Sequence, residues 1–252
     1  MAQYIVGNWK MNGTKAEAEA LAFTLAAKAK DVSGPLPHVV LCPSYPYLVP
    51  VLKILEGSTL ESGAQDCSPE ANGAFTGDVS VSQLSNIGCT YVIVGHSERR
   101  HHHLEPNALI RQKAEAVIRG KLKPIICIGE TEEEYRAGKC FSVLSEKLEA
   151  CLPSSCVHSD ILIAYEPVWA IGTGLTPSLE EVEKVMSFLK ERLRTHIPEG
   201  DLVPTLYGGS VNAANARLFL TLPYVDGLLV GGASLRADDF WHIIMATERQ
   251  EP

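Results

Sequence analysis

The sequence predicts a single-domain α/β fold, a (β/α)8 barrel of parallel strands, on three observations. Eight short apolar runs rich in Val, Ile and Leu alternate with helical stretches along the 252 residues, the pattern of parallel strands covered on both faces. Eight is also the number of strands that closes such a sheet without leaving an edge. Finally, chemistry-bearing residues gather just past the C-terminal ends of these runs, at Lys10, His96 and Glu166, with glycine pairs at 208–209 and 231–232. In a barrel of this kind that is the face where sites are built. No linker divides the chain, so residues 1–252 are expected to form one domain.

Composition narrows the function. The seven cysteines are an odd number with no CxxC pair, which reads as reduced thiols in a cytoplasmic protein. Residues 1–11 lack a secretory signal, and no apolar run approaches the roughly 18 residues that a membrane span needs. A formal net charge of -8 and a pI near 5.5 argue against nucleic acid or an acidic membrane surface as partner. A small anion stays open, because a few backbone N–H groups and one lysine can create a local positive potential. No GxGxxG opens the first βα unit, which counts against a dinucleotide fold.

Residues 4–9 read as the first strand, running into Asn8-Trp9-Lys10-Met11-Asn12-Gly13. Thr14 caps an alanine-rich helix through about Lys30. Lys10 is then either a solvated surface lysine or a cation at a strand's end. Residues 38–42 form the second strand, 45–55 a helix after the Pro43 turn, and 59–65 the third strand. The stretch from Asp66 to Asp78 is rich in Gly, Pro and Asn and has no periodicity. A loop this long is either functional or disordered, and Phe75 within it suits both readings. A short helix at 79–87 leads to the fourth strand, 90–94, whose β-branched residues point to burial.

That strand ends at Gly95-His96-Ser97-Glu98-Arg99-Arg100. Ser97 can cap a following helical turn with Glu98 in its first turn, which sets His96 beside a helix N-terminus where imidazolium is disfavoured. His96 reads as a neutral hydrogen-bonding group, either structural or in a site. His101-His102-His103 has the residue type of a metal cluster, but adjacent rings diverge and zinc prefers spaced ligands, so no metal is expected. A helix at 107–119, a strand at 124–128 closed by Gly129-Glu130, and a helix at 141–152 follow.

The sixth strand, 161–165, delivers Glu166 between Tyr165 and Pro167. Partial desolvation there should raise its basicity toward what proton abstraction needs, while a buried, paired structural carboxylate is the other reading. Pro167-Val168-Trp169 is a stiff hinge, Gly172-Thr173-Gly174 a permissive one, and Ala170-Ile171 an apolar tip between them, which is the anatomy of a lid. Ser178 and Glu181 form a capping box that opens a helix to about His196. Strands at 203–207 and 225–230 run into Gly208-Gly209-Ser210 and Gly231-Gly232, and glycine pairs after the last two strands suit a phosphate.

Taken together, Gly7-Asn8-Trp9-Lys10-Met11-Asn12, Gly73-Ala74-Phe75-Thr76-Gly77-Asp78, Val94-Gly95-His96-Ser97-Glu98-Arg99-Arg100, Cys127-Ile128-Gly129-Glu130, the Glu166 loop, Tyr207-Gly208-Gly209-Ser210-Val211 and Gly231-Gly232 closely resemble the triosephosphate isomerase family in content and order. The resemblance spans essentially the whole chain. It implies a TIM barrel that interconverts dihydroxyacetone phosphate and D-glyceraldehyde 3-phosphate, without cofactor or metal, as a homodimer.

By that resemblance Glu166 is the base and His96 the electrophile, with Lys10 and Asn8 supporting the developing charge and Glu98 supporting Lys10. Asn8, Trp9, Lys10, Gly172, Ser210, Gly231 and Gly232 hold the phosphorylated triose, and Thr76 reaches the neighbouring subunit's site through the Asp66–Asp78 loop. Three departures bear on loop shape and the interface: Asp66 for a usual asparagine, His103-Leu104 for an aromatic–glycine pair, and Leu175 for a frequent lysine.

Two rivals share these features. A Schiff-base aldolase would need a lysine on a mid-barrel strand, and 161–165 and 203–207 carry none. The other is a barrel without activity kept as a binding scaffold, which an isomerase assay separates.

Overall fold

The computed structural model of the chain describes residues 3–171 and 176–247. Eight strands, β1 (Tyr4–Asn8), β2 (His38–Cys42), β3 (Glu61–Ala64), β4 (Tyr91–Val94), β5 (Lys123–Ile128), β6 (Leu162–Tyr165), β7 (Thr205–Tyr207) and β8 (Gly227–Val230), close into one parallel barrel. Each strand pairs with the next, and β8 returns to β1 from Tyr4↔Gly227 to Gly7↔Val230.

Strand alternation splits the core into two layers. Tyr4, Val6, Tyr91, Ile93, Leu162, Ala164, Leu206 and Leu229 fill the barrel interior, while Ile5, Val92, Ile163, Tyr165 and Leu228 face outward against the helices. Asn8 at the end of β1, and Glu166, Gly208 and Gly231 just past the ends of β6, β7 and β8, continue the inward phase, so alternation aims them at the axis of the mouth.

The helical ring contains α1 (Lys15–Lys30), α2 (Tyr45–Leu55), α3 (Val81–Ile87), α4 (Ser97–His102), α5 (Asn107–Arg119), α6 (Glu132–Arg136), α7 (Cys140–Cys151), α8 (Leu179–His196), α9 (Ala216–Leu220) and α10 (Ala237–Met245). Thr14, Ser80, Thr131 and Ser178 open four of these with complete capping boxes. At α4 the expected cap is corrected: His96, not Ser97, is the N-cap residue, because its ring nitrogen accepts the Glu98 N–H. The sequence reading named no helix at α6, α9 or α10. The first two have five residues each, too few to show a 3.6-residue period. His101 and His102 are exposed, with ring planes crossing at 77°.

Loop 66–78 is held by its own hydrogen bonds, among them Ser68 N–H to Val79 O and Ser68 Oγ to Asp78 Oδ2, both at 2.8 Å. The ordered reading of this loop is the one the structure takes, with Phe75 47% exposed. At its base, Lys113 Nζ reaches both Asp66 oxygens at 2.8 and 2.9 Å and Glu105 Oε1 at 2.6 Å. Arg99 Nε meets Glu105 at 2.7 Å and Asp66 at 2.8 Å, so two acids face two bases. Burial pushes both carboxyl groups up. At Asp66 burial prevails, whereas at Glu105 Lys113 and Arg99 prevail and hold it below its ordinary value. Nearby, Leu104 stands where the resemblance puts glycine; its φ of 55° is a left-handed conformation that glycine adopts without strain.

Because the folded Glu105 binds its proton less tightly than the unfolded one, its charge stabilises the fold above the unfolded value of 4.5, and that contribution is lost as pH falls through the lower folded value. Glu105→Gln should therefore lower the urea midpoint at pH 7, by an amount equivalent to about 3 kcal/mol for one removed partner of a buried ion pair. The gap to wild type should narrow below pH 4.5. A gap that stays constant from pH 7 to pH 3 would show that the Glu105 charge contributes nothing.

Candidate active site

Three strand ends supply the polar groups. After β1, Lys10 takes a φ of 52°, a left-handed conformation unusual for a residue with a side chain. Its backbone is over-determined: its N–H donates to Asn8 Oδ1 at 3.0 Å, and its carbonyl accepts Ser44 Oγ at 2.7 Å and Gln65 Nε2 at 2.8 Å. So held, Lys10 sends its ammonium to Glu98 Oε1 at 2.7 Å, as the resemblance implies. Ser44 and Gln65 were not anticipated; their signal is that they also lie just past strand ends, after β2 and β3.

After β4, Gly95 breaks the alternation with a φ of 70°, and a Cβ there would come within 2.9 Å of Ile110. That turn brings His96 round to the mouth. His96 Nε2 lies 3.1 Å from Glu166 Oε1, while Glu166 Oε2 accepts the Ser97 N–H at 3.3 Å. Both side chains are buried.

The expected rise in Glu166 basicity is corrected here. Burial does push its carboxyl up, but the His96 ring, the Ser97 N–H and Lys10 outweigh it and hold the group below its ordinary value. At His96 burial disfavours imidazolium and the Glu166 carboxylate outweighs that, drawing proton affinity up. A second proton has only Nδ1 to occupy, and the Glu98 backbone N–H already donates into Nδ1 at 3.2 Å. The geometry therefore fits a neutral ring with its proton on Nε2, directed at Glu166.

Asn8, Lys10, His96 and Glu166 share a cavity of about 120 Å³, which Gly208, Gly209, Gly231 and Gly232 also line, Gly208 beside Glu166 and Gly231 beside Lys10. Leu229 and Val211 add apolar surface, and Ile171 reaches it from the last described residue before the gap. Ser210 does not line the cavity itself but sits between Gly209 and Val211, which do. Trp9, expected among the substrate-contacting residues, is turned away: it is in the outward phase with Ile5, is 2% exposed, and packs in the core between barrel and helices. The alternation within β1 is the signal that could have shown this. Gly172, Thr173, Gly174 and Leu175 lie outside the described residues.

Beneath Glu166, the end of β5 forms a platform. Glu166 N–H donates to Ile128 O at 2.8 Å and Val168 N–H to Glu130 O at 3.1 Å. Glu130, fully buried, accepts Trp169 Nε1 at 2.8 Å and Tyr165 OH at 3.1 Å, tying the hinge residue to the barrel. Burial raises its carboxyl above the ordinary value despite those donors.

A family model described as Triosephosphate isomerase matches residues 3–247. Among curated proteins, the triosephosphate isomerase of Acidiphilium cryptum (strain JF-5) is 44% identical over 257 residues, covering 99% of this chain and 100% of its own. That of Rhizobium meliloti (strain 1021) is 44% identical over 248 residues, covering 97% of this chain and 95% of its own. Among solved structures, a triosephosphate isomerase from Bartonella henselae superposes with a TM-score of 0.90 at 36% identity, covering 98% of this chain and 99% of that one.

The tautomer at His96 is open to direct observation. In nitrogen-15 NMR of the selectively labelled histidine at pH 7, Nε2 should carry the proton and Nδ1 should show the shift of an unprotonated nitrogen. Two protonated nitrogens would mean that the Glu166 charge, not the Glu98 N–H, decides the state of the ring.

Proposed function

The chain belongs to the triosephosphate isomerase family, and from that premise we propose that it interconverts dihydroxyacetone phosphate and D-glyceraldehyde 3-phosphate through an enediolate, in glycolysis and gluconeogenesis and beside the pentose shunt. The observation that carries the reading is the convergence of Glu166, His96 and Lys10 on one small cavity walled by two glycine pairs.

In this reading the phosphate of the triose lies against the backbone of Gly231 and Gly232, with Ser210 and Gly172 completing its cradle. Short backbone N–H groups can approach an anion there without a side chain intervening. The carbonyl end faces His96 and Lys10. Glu166 must leave its contact with His96 and Ser97 to reach a substrate carbon, and in doing so it loses the donors that hold its basicity down. Substrate binding thus turns a stabilised carboxylate into a stronger base at the moment it is needed.

The freed Nε2 proton of His96 then polarises the carbonyl oxygen, and the Lys10 ammonium, beside Asn8, offsets charge as the enediolate forms. Glu166, having taken a proton from one carbon, returns it to the adjacent carbon, while the hydroxyl proton passes from one oxygen of the enediolate to the other through His96 Nε2. Glu98 holds Lys10 in place between turnovers. Base, hydrogen-bond donor and cation are all side chains, so the scheme requires neither metal nor cofactor.

The reading extends to a homodimer built through loop 66–78, with Thr76 reaching the neighbouring site. The exposure of Phe75 on a hydrogen-bonded loop supports it, since an ordered apolar tip gains by being covered. A cytoplasmic location agrees with all seven cysteines being free thiols. Among the described residues no helix is long and apolar enough to cross a membrane.

Two experiments test this. Glu166→Asp keeps the carboxylate but withdraws it by about 1 Å, and kcat for isomerisation should fall on the order of a hundredfold with little change in KM. Wild-type kcat in that variant would remove Glu166 from the base role. Excising residues 72–76 should give a monomer of low activity by light scattering and assay, and a fully active monomer would exclude the bracing role of the loop.

A further inference from the structure

Lys147 has no part in the chemistry proposed above, yet it is turned from α7 into the platform under Glu166. Its side chain is only 18% exposed. Nζ donates to Gly129 O at 2.7 Å and lies 3.7 Å from Glu134 Oε2. A lysine on a helix surface ordinarily keeps its ammonium in water while its stem packs. Here burial is the main influence on the ammonium and loosens its proton, so the placement carries a desolvation cost that the contact with Gly129 must offset.

The Gly129 peptide is where the main chain of Glu166 rests. A Cβ on residue 129 would lie 1.6 Å from Glu166 O and 2.6 Å from its carbonyl carbon, so the two backbones touch with nothing between them. The carbonyls on either side, Ile128 and Glu130, accept the Glu166 and Val168 N–H groups. The Gly129 carbonyl between them is the one that Lys147 holds. A cavity of about 250 Å³, lined by Lys147, Arg100, Ser97, Gly129, Glu166 and Val168, lies beside this peptide, so on that side the Gly129 carbonyl is held by the Lys147 hydrogen bond rather than by close-packed side chains.

We infer that Lys147 is a positioning residue for the isomerase reaction: by pinning the Gly129 carbonyl it fixes both the reach of the Glu166 carboxylate and the grip of Glu130 on Trp169. The inference rests on the reading of Glu166 as the general base. Lys147 acts through backbone, so its removal should degrade geometry at the reacting carbon without touching the surfaces that bind the phosphate.

Lys147→Met retains the packing of the stem and removes the donor. In the folded variant kcat should fall about tenfold with KM within twofold of wild type, a smaller loss than that for a full ångström of displacement at the base. Lys147→Arg, which restores a donor, should recover kcat to within about threefold. If Lys147→Met does not fold, Lys147→Leu, which also fills apolar space and offers no donor, supplies the same readouts with the same expected kcat loss of about tenfold.

Wild-type kcat in either folded variant, a loss residing in KM, or no rescue by Lys147→Arg overturns the inference. Glu166→Gln and wild type run alongside. An inactive wild type or a fully active Glu166→Gln refutes the base reading itself, whereas an inactive Glu166→Gln beside an unaffected Lys147→Met refutes Lys147 alone.

Discussion

Because β8 pairs back onto β1, every strand has hydrogen-bonding neighbours on both sides, and none can slip by one residue without turning its inward face outward. That locked register settles which residues meet at the mouth. Ala164 is inside, so Glu166 is too; Val6 is inside, so Asn8 follows. The same phase carries Gly208 and Gly231 to the cavity. His96 is the exception, out of phase with Ile93, and it reaches the axis only because Gly95 takes a left-handed turn. The site is thus a by-product of closure at most positions and a local conformational device at one.

Four buried carboxylates show how differently the same group is treated within one barrel. Glu166 is held below its ordinary value by the His96 ring, the Ser97 N–H and Lys10, against its burial. Glu105 is held low by the Lys113 and Arg99 cations. Asp66 and Glu130 are both raised by burial, the first despite the Lys113 ammonium and the second with only neutral donors around it. Burial alone does not distinguish the four; the partners do, since Glu166 alone of them lines the cavity at the barrel mouth, and its partners His96 and Lys10 line it too.

Most of the barrel was legible from its apolar runs, and β2 as well as helices α2 and α5 fall where periodicity and turn residues placed them. What escaped notice was short or tertiary. Helices α6 and α9 are too brief for a period, and α10, at nine residues, spans little more than two turns. At the site, Lys10, His96, Glu98 and Glu166 were legible because each follows a strand end within a run of distinctive neighbours. Trp9, which only the resemblance put at the substrate, packs in the core because the alternation turns it outward. The direction of the Glu166 shift was also misread, since desolvation can be inferred from Tyr165 and Pro167 but the His96 contact, 70 residues away in the chain, depends on closure. The Lys147 contact belongs to the same class, since it joins a helix to the loop preceding it through a backbone carbonyl that no motif marks.

The capping boxes at Thr14, Ser80, Thr131 and Ser178 have a bearing on how ligands arrive. Each helix follows its strand, so its N-terminus opens on the same end of the barrel as the cavity, and each contributes a fraction of a positive charge there. In three of the four boxes a glutamate, Glu17, Glu134 or Glu181, folds back onto that N-terminus and cancels it at the periphery. At the axis the Lys10 ammonium is paired with Glu98 and lies near the Glu166 carboxylate, so its charge too is partly offset. On a chain of net charge -8, a helix N-terminus left unscreened would draw small anions to the periphery rather than to the cavity, and these three glutamates reduce that competition.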